Sequence, residues 1–455
     1  MSRGLPRLFL LVIFEWSARL VRCRIQIYDL DIPMPENHSV RGKGFSSRAD
    51  VETVMAWVDE TSSSKCGNRH SETVAIDRAL GRVLTRDTTS PIDVPSFCRG
   101  MMDGYAIRAA EIQGANEYNP IELQVVGRSM PGHGFDGKLP DLQKVAAIEI
   151  MTGAPFPDGP NAVLPFELTR KEGEKVFAVD AVPEQKNVGL VGEDIEQGSQ
   201  VFSAGQRLRP QDIGILASLG IHDVEVLRRP RVGVLITGNE IVPSSQDSKG
   251  PFQIFDSNGP MLQTLIERDG GQAELIYAED HREIIAQHLC DNQFDLILVS
   301  GGSSVGKEDF APSIVAEKGE LQFHGIAMRP SSPTGVGVID ERLVFLLPGN
   351  PVSCMCAYDF FAGRAIRKLA GKPAAWPYEQ SRFPLGARIS SVIGRVDYCR
   401  VKVVDEVVHP VAIRGASVLS TLSRANGFVI VGKDSEGYAA DEYVDVFLFP
   451  DLSDK

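Results

Sequence analysis

Three loops rich in glycine and polar side chains follow apolar runs in the second half of the chain. The runs span residues 232–237, 294–300 and 343–347, and each is typical of a strand buried on both faces of a parallel sheet. In such sheets, ligands bind beyond the carboxyl ends of the strands. The candidate ligand-binding residues therefore follow the runs directly: Gly238, Asn239 and Glu240; Gly301, Gly302, Ser303, Ser304 and Gly306, with Asp309 beyond them; and Pro348, Gly349, Asn350 and Pro351.

The middle loop, residues 301–306, has the composition of a phosphate-binding turn. It offers backbone amides and two hydroxyl groups, has few bulky side chains, and precedes a predicted helix. A tight strand-to-helix turn that needs glycine for its geometry would explain the same residues without a ligand. The loop matches neither the Walker pattern nor the dinucleotide-binding pattern, which disfavours nucleotide hydrolysis and hydride transfer.

Two carboxylates, Glu240 and Asp309, are expected beside that loop. Carboxylates next to a phosphate group repel it unless a divalent cation lies between them, so Mg²⁺ is the metal this arrangement favours. Taken singly, Asp309 is equally typical of a helix N-cap and Glu240 of a solvated acid. Residues 348–351 are equally typical of a stiff turn before a helix. Taken together, the three loops favour a ligand-binding site.

A second group of polar residues lies in the first half of the chain, within residues 102–106, 152–154 and 192–195. Its candidate functional side chains are Asp103, Thr152 and Asp194. Acidic and hydroxyl side chains of this kind also stabilise turns. The residues alone do not separate a set of turns from a binding surface.

The elements that carry these loops indicate several domains. Short runs broken by Gly and Pro over residues 90–190 predict a β-rich domain. Strands and helices alternate over residues 230–371, which predicts an α/β domain with a parallel sheet. The last 75 or so residues show alternating runs without a strong helical pattern, and they predict a small β domain.

Composition narrows the class of protein. The 455 residues contain 47 Lys and Arg against 60 Asp and Glu, and the net charge of −13 argues against nucleic acid or an anionic membrane as a partner. None of the seven cysteines forms a Cys-x-x-Cys pair, and a reducing cytosol fits this usage. The apolar run at residues 8–14 is too short to span a membrane, so we expect a poorly ordered extension and a cytoplasmic protein.

Eight short motifs together resemble one known family. In chain order they lie at residues 102–106 (MDGYA), 152–155 with Glu167, 192–195, 237–240, 256–258 (DSN), 301–309, 347–351 and 419–428. Each motif is short, but eight in family order over some 400 residues are highly specific. The chain resembles the molybdopterin molybdenumtransferases, which comprise the bacterial MoeA-type enzymes and the C-terminal domain of gephyrin.

The resemblance implies an elongated subunit of four domains. After an extension at residues 1–45, these are a linking domain (46–90 and 191–229), an inserted β-rich domain (91–190), a three-layer molybdopterin-binding α/β domain with a parallel-rich sheet (230–372) and a C-terminal β-barrel (373–455). The implied fold class is multidomain α/β plus β. The resemblance also implies a homodimer whose active site lies between the α/β domain of one subunit and the β-rich domain of the other.

The implied reaction inserts molybdate into adenylyl-molybdopterin and releases AMP. By resemblance, the 301–306 loop, Arg329 and the 348–351 turn would hold the substrate. Glu240 and Asp309 would bind Mg²⁺ at the phosphoanhydride. Asp103, Thr152 and Asp194 would act from the other subunit, and no nucleophilic side chain is required. Molybdopterin adenylyltransferase and molybdoenzyme apoproteins are the implied protein partners.

One segment departs from the family pattern. The family usually carries two basic residues in Met-Lys/Arg-Pro-Gly-Lys-Pro, whereas this chain has Met328-Arg329-Pro330-Ser331-Ser332-Pro333. Arg329 matches the first base, but Ser332 replaces the second, and a lost charge-assisted contact costs about 1.5–3 kcal/mol. Either Lys307 compensates or the serines act as donors to the oxyanion.

Three alternatives stay open from the sequence. The chain could adenylylate molybdopterin with ATP, although the additional domains disfavour that activity. It could be a molybdopterin-binding scaffold with weak turnover, which the Ser332 change would fit, but the carboxylates Asp103, Glu240 and Asp309 argue against a pure anion binder. Tungstate could replace molybdate, because the two oxyanions have nearly the same size and charge.

Overall fold

The computed structural model describes residues 48–65, 70–301, 309–412 and 415–450. No helix within these ranges is long and apolar enough to cross a membrane. The described residues form mixed α/β and β-rich sheets with several apolar cores, and this confirms the predicted multidomain α/β plus β class.

One long helix and a β-rich sheet occupy the first part of the described chain. Val51, Val54 and Val58 repeat at helical spacing and are buried along one side of that helix. The elements are α1 (Val51–Lys65), β1 (Ser71–Ala75), β2 (Thr88–Thr89), β3 (Arg99–Gly100), β4 (Gly104–Ile107), β5 (Ile121–Ser129), β6 (Val145–Ile150), β7 (Ala162–Pro165), β8 (Thr169–Glu172) and β9 (Lys175–Ala178), with 3₁₀ turns at Ile76–Arg78, Ala109–Ile112 and Phe166–Leu168.

The β-rich sheet has six strands in the order β7-β4-β6-β5-β9-β8. Strands β5 and β6 are parallel, and the other pairs are antiparallel. Strand β4 is buried throughout and packs closely on β7. A Cβ atom added to Gly104 would lie 2.8 Å from the carbonyl carbon of Leu164, so the residue after Asp103 must be glycine.

The next segment returns to the strands before the β-rich sheet. Its elements are β10 (Val188–Gly189), β11 (Gln200–Phe202), α2 (Pro210–Ser218) and β12 (Asp223–Leu227). Strand β12 pairs antiparallel with β1, β11 with β2, and β10 with β3. Backbone hydrogen bonds therefore join two stretches of chain that the β-rich sheet separates in sequence. The exact domain boundaries stay a prediction.

A mixed sheet flanked by helices follows. Its order is β16-β13-β17-β21-β20-β18; the first four strands are parallel and the last two are antiparallel. The elements of this part are β13 (Arg231–Thr237), β14 (Ile241–Val242), β15 (Ile254–Phe255), α3 (Asn258–Asp269), β16 (Gln272–Ala278), α4 (Arg282–Leu289), β17 (Leu296–Ser300), α5 (Ala311–Lys318), β18 (Glu320–His324), β19 (Met328–Arg329), β20 (Gly335–Ile339), β21 (Arg342–Leu347), α6 (Pro351–Ala357), a π-helical turn (Tyr358–Ala362) and α7 (Gly363–Leu369).

A second antiparallel sheet forms the C-terminal part. Its elements are β22 (Glu379–Pro384), β23 (Ile389–Ser390), β24 (Val396–Val404), β25 (Val407–Ala412), α8 (Ser420–Arg424), β26 (Gly427–Val431), β27 (Gly437–Tyr438) and β28 (Tyr443–Leu448). Strand β19 of the preceding part pairs parallel with β24, so it extends this sheet. Trp376 packs edge-on against Phe428 and Phe447 and fills the junction between the two parts.

A buried ionic cluster joins α3 to the π-helical turn and to the C-terminal part. Arg268 lies 3.1 Å from the Asp269 carboxylate and 3.3 Å from that of Asp359, and both carboxylates are fully buried. The Tyr378 hydroxyl donates a hydrogen bond to Asp359 at 2.9 Å. Asp269 is also paired with the buried Arg367 at 2.9 Å, whereas Asp359 forms its ion pair with Arg268. A fully buried acid with one cation beside it is costly to keep ionised.

The pH dependence of stability tests this cluster. Burial raises the pKa of Asp359 to about 6, while the Arg268 charge acts in the opposite direction. A folded-state pKa above that of a free aspartate means that stability falls as the pH rises from about 4 to about 6. Asp359→Asn removes this titration. We therefore expect the unfolding free energy of the variant, relative to wild type, to rise by up to about 3 kcal/mol across that range and then to level off.

Chemical denaturation at several pH values measures this difference. Asp59→Asn is the matched control, because burial of Asp59 is outweighed by its bonds and ion pair with Arg364 and its pKa is lowered. Its difference from wild type should fall as the pH increases up to about 4, where a free aspartate has ionised, and it should not rise between about pH 4 and about pH 6. A pH-independent difference for Asp359→Asn would contradict the assigned titration.

Candidate functional site

The carboxyl ends of three adjacent parallel strands meet at one edge of the α/β sheet. Strand β13 ends at Thr237, β17 at Ser300 and β21 at Leu347. Ser300 pairs with Ile236 on one side and with Leu347 on the other. The three loops that the sequence analysis selected therefore start side by side.

Glycines allow these loops to pack closely. Gly301 adopts a φ of +102°, and an added Cβ atom would lie 3.0 Å from the Thr237 hydroxyl oxygen. The Gly301 amide donates to the Leu347 carbonyl at 3.4 Å. A Cβ atom on Gly349 would lie 3.6 Å from the Gly301 α-carbon. A side chain at Gly301 would force the first and second loops apart.

Asn258 connects the second and third loops, and the sequence analysis assigned it no role. Its amide nitrogen donates to the Ser300 hydroxyl at 2.9 Å and to the Gly349 carbonyl at 2.8 Å. The Asp256 carboxylate accepts the amides of Asn258 and Gly259, which orients the start of α3. Asp256 and Asn258 belong to the DSN motif, so the motif was the available signal.

Two acceptor atoms at this edge have no partner among the described residues. They are the hydroxyl oxygen of Thr237 and the side-chain oxygen of Asn258, and both residues are more than nine-tenths buried. Buried polar atoms without a partner are rare in folded proteins. The edge therefore has unused hydrogen-bonding capacity next to Ser300.

The two predicted metal-binding carboxylates lie on loops from neighbouring strands. Glu240 is exposed in the turn between β13 and β14, and its carbonyl accepts the Ile254 amide at 2.8 Å. Asp309 is half-buried before α5. The described ranges contain no group of three or more His, Cys, Asp or Glu side chains arranged for a metal. Mg²⁺ is commonly bound by one or two carboxylates together with water and substrate phosphates. The oxygen ligands that Glu240 and Asp309 offer therefore fit that ion.

Of the predicted substrate loop at residues 301–306, the structure describes Gly301. Gly302, Ser303, Ser304 and Gly306 lie outside the described residues, as does Lys307. Their predicted role in holding the substrate stays a prediction.

The third loop begins α6 and contacts the C-terminal part. Pro348 is buried, whereas Gly349 and Asn350 are exposed. The Asn350 carbonyl accepts the first helical hydrogen bond, from Cys354, and Pro351 occupies the first turn. The Val352 amide donates to the Ala416 carbonyl at 3.1 Å. Residues of the C-terminal part therefore adjoin this loop.

Arg329 is bound to an acid in the C-terminal part. Its guanidinium forms an ion pair with Asp397, which is almost fully buried and also accepts a bond from Arg395 at 3.0 Å. Arg329 Nε and the Ser332 hydroxyl are buried with no partner among the described residues. Two arginines paired with one aspartate leave a net positive charge beside Ser332. The sequence analysis missed Arg395 and Asp397.

The second predicted group is assembled in the β-rich part. Asp103 accepts the amide and the hydroxyl of Thr152, each at 2.7 Å. These two bonds, the amide first, lower the pKa of Asp103, so its carboxylate is ionised at neutral pH. The Gly153 amide donates to the Gly100 carbonyl at 2.8 Å and closes this turn against β3. The structure therefore brings Asp103 and Thr152 into direct contact.

Asp194 is placed near this group by the residues next to it in sequence. The pairing of β10 with β3 places the following turn beside Arg99, which forms an ion pair with Glu193 at 3.0 Å. The Asp194 side chain is exposed, and its amide donates to the Val94 carbonyl at 3.0 Å. No hydrogen bond within the described ranges joins Asp103, Thr152 or Asp194 to Glu240. The chain thus carries two separate sets of candidate residues.

The fold and the carboxyl-edge site define a multidomain protein with an α/β domain whose candidate ligand site lies beyond the ends of parallel strands. Three family models match it in succession: "MoeA N-terminal region (domain I and II)" over residues 49–220, "Probable molybdopterin binding domain" over 233–368 and "MoeA C-terminal region (domain IV)" over 382–449. Together they span most of the described chain.

Similar proteins agree with these matches. The molybdopterin molybdenumtransferase of Haemophilus influenzae is 30% identical over 395 residues, which cover 84% of this chain and 95% of the relative. That of Staphylococcus aureus is 30% identical, with 83% and 90% covered. The crystal structure of the molybdopterin biosynthesis MoeA protein from Pyrococcus horikoshii has a TM-score of 0.74 at 31% identity, with 89% of this chain and all of that chain covered. The chain belongs to the MoeA family, which confirms the resemblance.

Asn258→Asp tests the connection between the second and third loops. The substitution keeps the shape but replaces the donating amide with a carboxylate oxygen, which cannot donate to the Gly349 carbonyl. We expect the free energy of unfolding to fall by about 1–3 kcal/mol at neutral pH. Denaturant unfolding measures this loss, and Asn116→Asp is the matched control, because its amide bonds the Gly114 carbonyl in an exposed turn. Equal effects of the two substitutions would contradict the role of Asn258.

Proposed function

We propose that this protein is a molybdopterin molybdenumtransferase, which inserts molybdate into adenylyl-molybdopterin and releases AMP during molybdenum cofactor biosynthesis. The observation that supports this most strongly is the match of all three MoeA family models, in order, along one chain. Relatives of nearly the same length carry that name. Adenylylation of molybdopterin is disfavoured, because the α/β domain alone suffices for it and leaves the other parts unexplained.

The carboxyl edge of the α/β sheet is the proposed binding site for the pterin and its phosphates. Gly301 and Gly349 bring backbone close to the ligand, and Asn258 keeps their loops together. Asn350, Pro351 and the loop that includes Gly302, Ser303, Ser304 and Gly306 complete the proposed site. Backbone amides at the start of a helix stabilise phosphate oxygens.

Glu240 and Asp309 are the proposed ligands of Mg²⁺. When bound, this ion would neutralise charge on the phosphoanhydride and on the leaving AMP. Glu240 and Asp309 would hold the ion, and the loops at this edge would hold the substrate in one orientation beside it. Positioning and charge account for the reaction without a nucleophilic side chain.

Arg329 and Ser332 are the proposed contacts for molybdate. Arg329 and Arg395 both pair with Asp397, and the three groups together carry a net positive charge. This charge supports binding of an oxyanion here, although Ser332 replaces the usual lysine. The unpartnered Ser332 hydroxyl and Arg329 Nε offer two donors.

We propose that the complete active site forms between two subunits of a homodimer. The acidic group of the β-rich part, Asp103, Thr152 and Asp194, would then order substrate and water bound at the partner's carboxyl edge. Exposed apolar side chains next to each half support this arrangement. Beside Asp103 and Asp194 they are Met101, Met102, Leu190 and Val191; beyond Glu240 they are Phe252, which is 92% exposed, Ile254 and Phe255.

Such patches mark interaction surfaces, because leaving them in water is unfavourable. In a dimer with two-fold symmetry, one contact buries the same patches on both subunits. Delivery of substrate by molybdopterin adenylyltransferase, and transfer of the cofactor to apoproteins in the cytoplasm, are further parts of the proposal.

AMP release by the purified protein tests the function. With adenylyl-molybdopterin, Mg²⁺ and molybdate, we expect AMP release that requires both added ions. Asp309→Asn and Glu240→Gln should each slow it by roughly a hundredfold or more, because each removes a carboxylate from the proposed metal site. Glu283→Gln is the matched control, since Glu283 is an exposed acid on α4, and it should retain full activity.

The outcomes separate the alternatives. Tight substrate binding without AMP release would favour the scaffold, and ATP-dependent adenylylation of molybdopterin would favour the sister reaction. Full activity of Asp309→Asn would remove that residue from the metal site.

Mixing two inactive variants tests the inter-subunit site. Asp103→Asn and Glu240→Gln proteins would each be inactive alone, because every site has lost one group. After subunits exchange at equal concentration, half of the dimers are mixed and each restores one of its two sites. We expect about a quarter of wild-type activity to return. If each site lies within one subunit, mixing restores nothing, and the dimer proposal fails while the transferase proposal stands.

A further inference from the structure

Five basic side chains line a small cavity at the opposite edge of the α/β sheet from the candidate active site. The cavity has a volume of about 110 Å³ and is lined by Arg82, Arg207, Arg228, Arg229 and Lys372, with one acid, Glu267. It lies where β13 begins, whereas Thr237 ends that strand. Seven residues of extended chain separate the two edges by roughly 20 Å.

Two of the five cations are already neutralised. Arg82 lies 2.5 Å from the Glu72 carboxylate, and Arg228 lies 2.7 Å from that of Asp295. Arg207, Arg229 and Lys372 form no ion pair within the described ranges. Against Glu267, these three leave two uncompensated positive charges in a chain whose net charge is −13.

Backbone carbonyl groups hold two of these three cations, Arg207 and Lys372, in place. Arg207 Nε donates to the Gly81 carbonyl at 3.2 Å, which leaves the other nitrogens of its guanidinium available. Lys372 Nζ donates to the Arg268 carbonyl at 2.9 Å. Gly270 has a φ of +99°, and a Cβ atom there would lie 3.0 Å from Lys372 Nζ. The absent side chain at Gly270 therefore leaves room for the ammonium group.

The cations repel one another. Burial lowers the pKa of Lys372, and the charges of Arg207 and Arg229 lower it further, while Asp269 acts in the opposite direction. An anion placed among the three would relieve this repulsion and make charge-assisted hydrogen bonds. A cavity of this size accommodates one tetrahedral oxyanion and is far smaller than pockets for whole drug-sized ligands, which are roughly 300–1,000 Å³.

We propose that this cavity binds a phosphate-class oxyanion, either free inorganic phosphate or the phosphate group of a phosphomonoester. The ligand would bridge Arg207, which precedes α2, and Lys372, which follows α7, and so hold the two parts of the chain together. The proposal is independent of the transferase reaction, because its residues lie at the opposite edge of the sheet.

Titration calorimetry with inorganic phosphate, in a buffer without other oxyanions, tests the site. We expect a phosphate ion to bind wild-type protein and the affinity to fall roughly tenfold or more in Arg207→Gln and in Lys372→Gln. Arg229→Gln is the variant least able to disturb folding, because its side chain is exposed and makes no hydrogen bond in the described ranges, and it should also weaken binding. Arg170→Gln, which removes an exposed cation from the β-rich part, is the matched control and should bind normally.

A parallel titration with AMP distinguishes the sources. The triple variant combines Arg207→Gln, Arg229→Gln and Lys372→Gln. If AMP competes with phosphate in wild-type protein and this competition disappears in the triple variant, the site takes phosphomonoesters. If AMP does not compete and the triple variant loses phosphate binding, the site takes the free ion. A second phosphate that the triple variant retains belongs to the candidate active site. Wild-type affinity and stoichiometry in the triple variant, or no phosphate binding to wild type at all, would overturn the proposal.

Discussion

The in-register parallel pairing of β13, β17 and β21 is the constraint on which the candidate site depends. Adjacent strands lie about 4.8 Å apart, so loops that leave their carboxyl ends must share a narrow strip of surface. Only a residue without a side chain fits at Gly301, where the second loop passes the end of β13. The same crowding lets one side chain, Asn258, bond both Ser300 and the carbonyl of Gly349.

This edge is supported by the C-terminal part of the chain. Strand β19 extends the C-terminal sheet, Arg329 pairs with the buried Asp397, and the cluster of Arg268, Asp269 and Asp359 is closed by Tyr378. Removing Arg268 would leave the buried Asp359 without its ion-pair partner, and losing such a partner is far more costly than losing a surface ion pair. The loops of the site are therefore set by packing well beyond the α/β sheet.

The candidate functional groups of this protein lie in parts of the chain that are remote in sequence. An ionised Asp103 held by Thr152 lies in the β-rich sheet, and the carboxylates Glu240 and Asp309 lie on the α/β loops. A reaction that depends on positioning and charge does not need a single nucleophile, so its groups can come from separate elements or subunits. The basic cavity beside Lys372 shows the same design, since its cations come from both sides of a junction.

Much of the fold was predictable from sequence, because buried strands, glycine turns and helix starts are local patterns. The apolar runs at 232–237, 294–300 and 343–347 correspond to β13, β17 and β21, and the motifs identified the family. The partners of Asn258, the pairing of Arg329 with Asp397 and the convergence of Arg207 on Lys372 were not predictable. These contacts join residues from 42 to well over 100 positions apart, and such contacts depend on strand register and on how the parts pack. Local sequence specifies which groups a loop carries, but tertiary packing decides which groups meet, because only the folded chain brings distant segments within hydrogen-bonding distance.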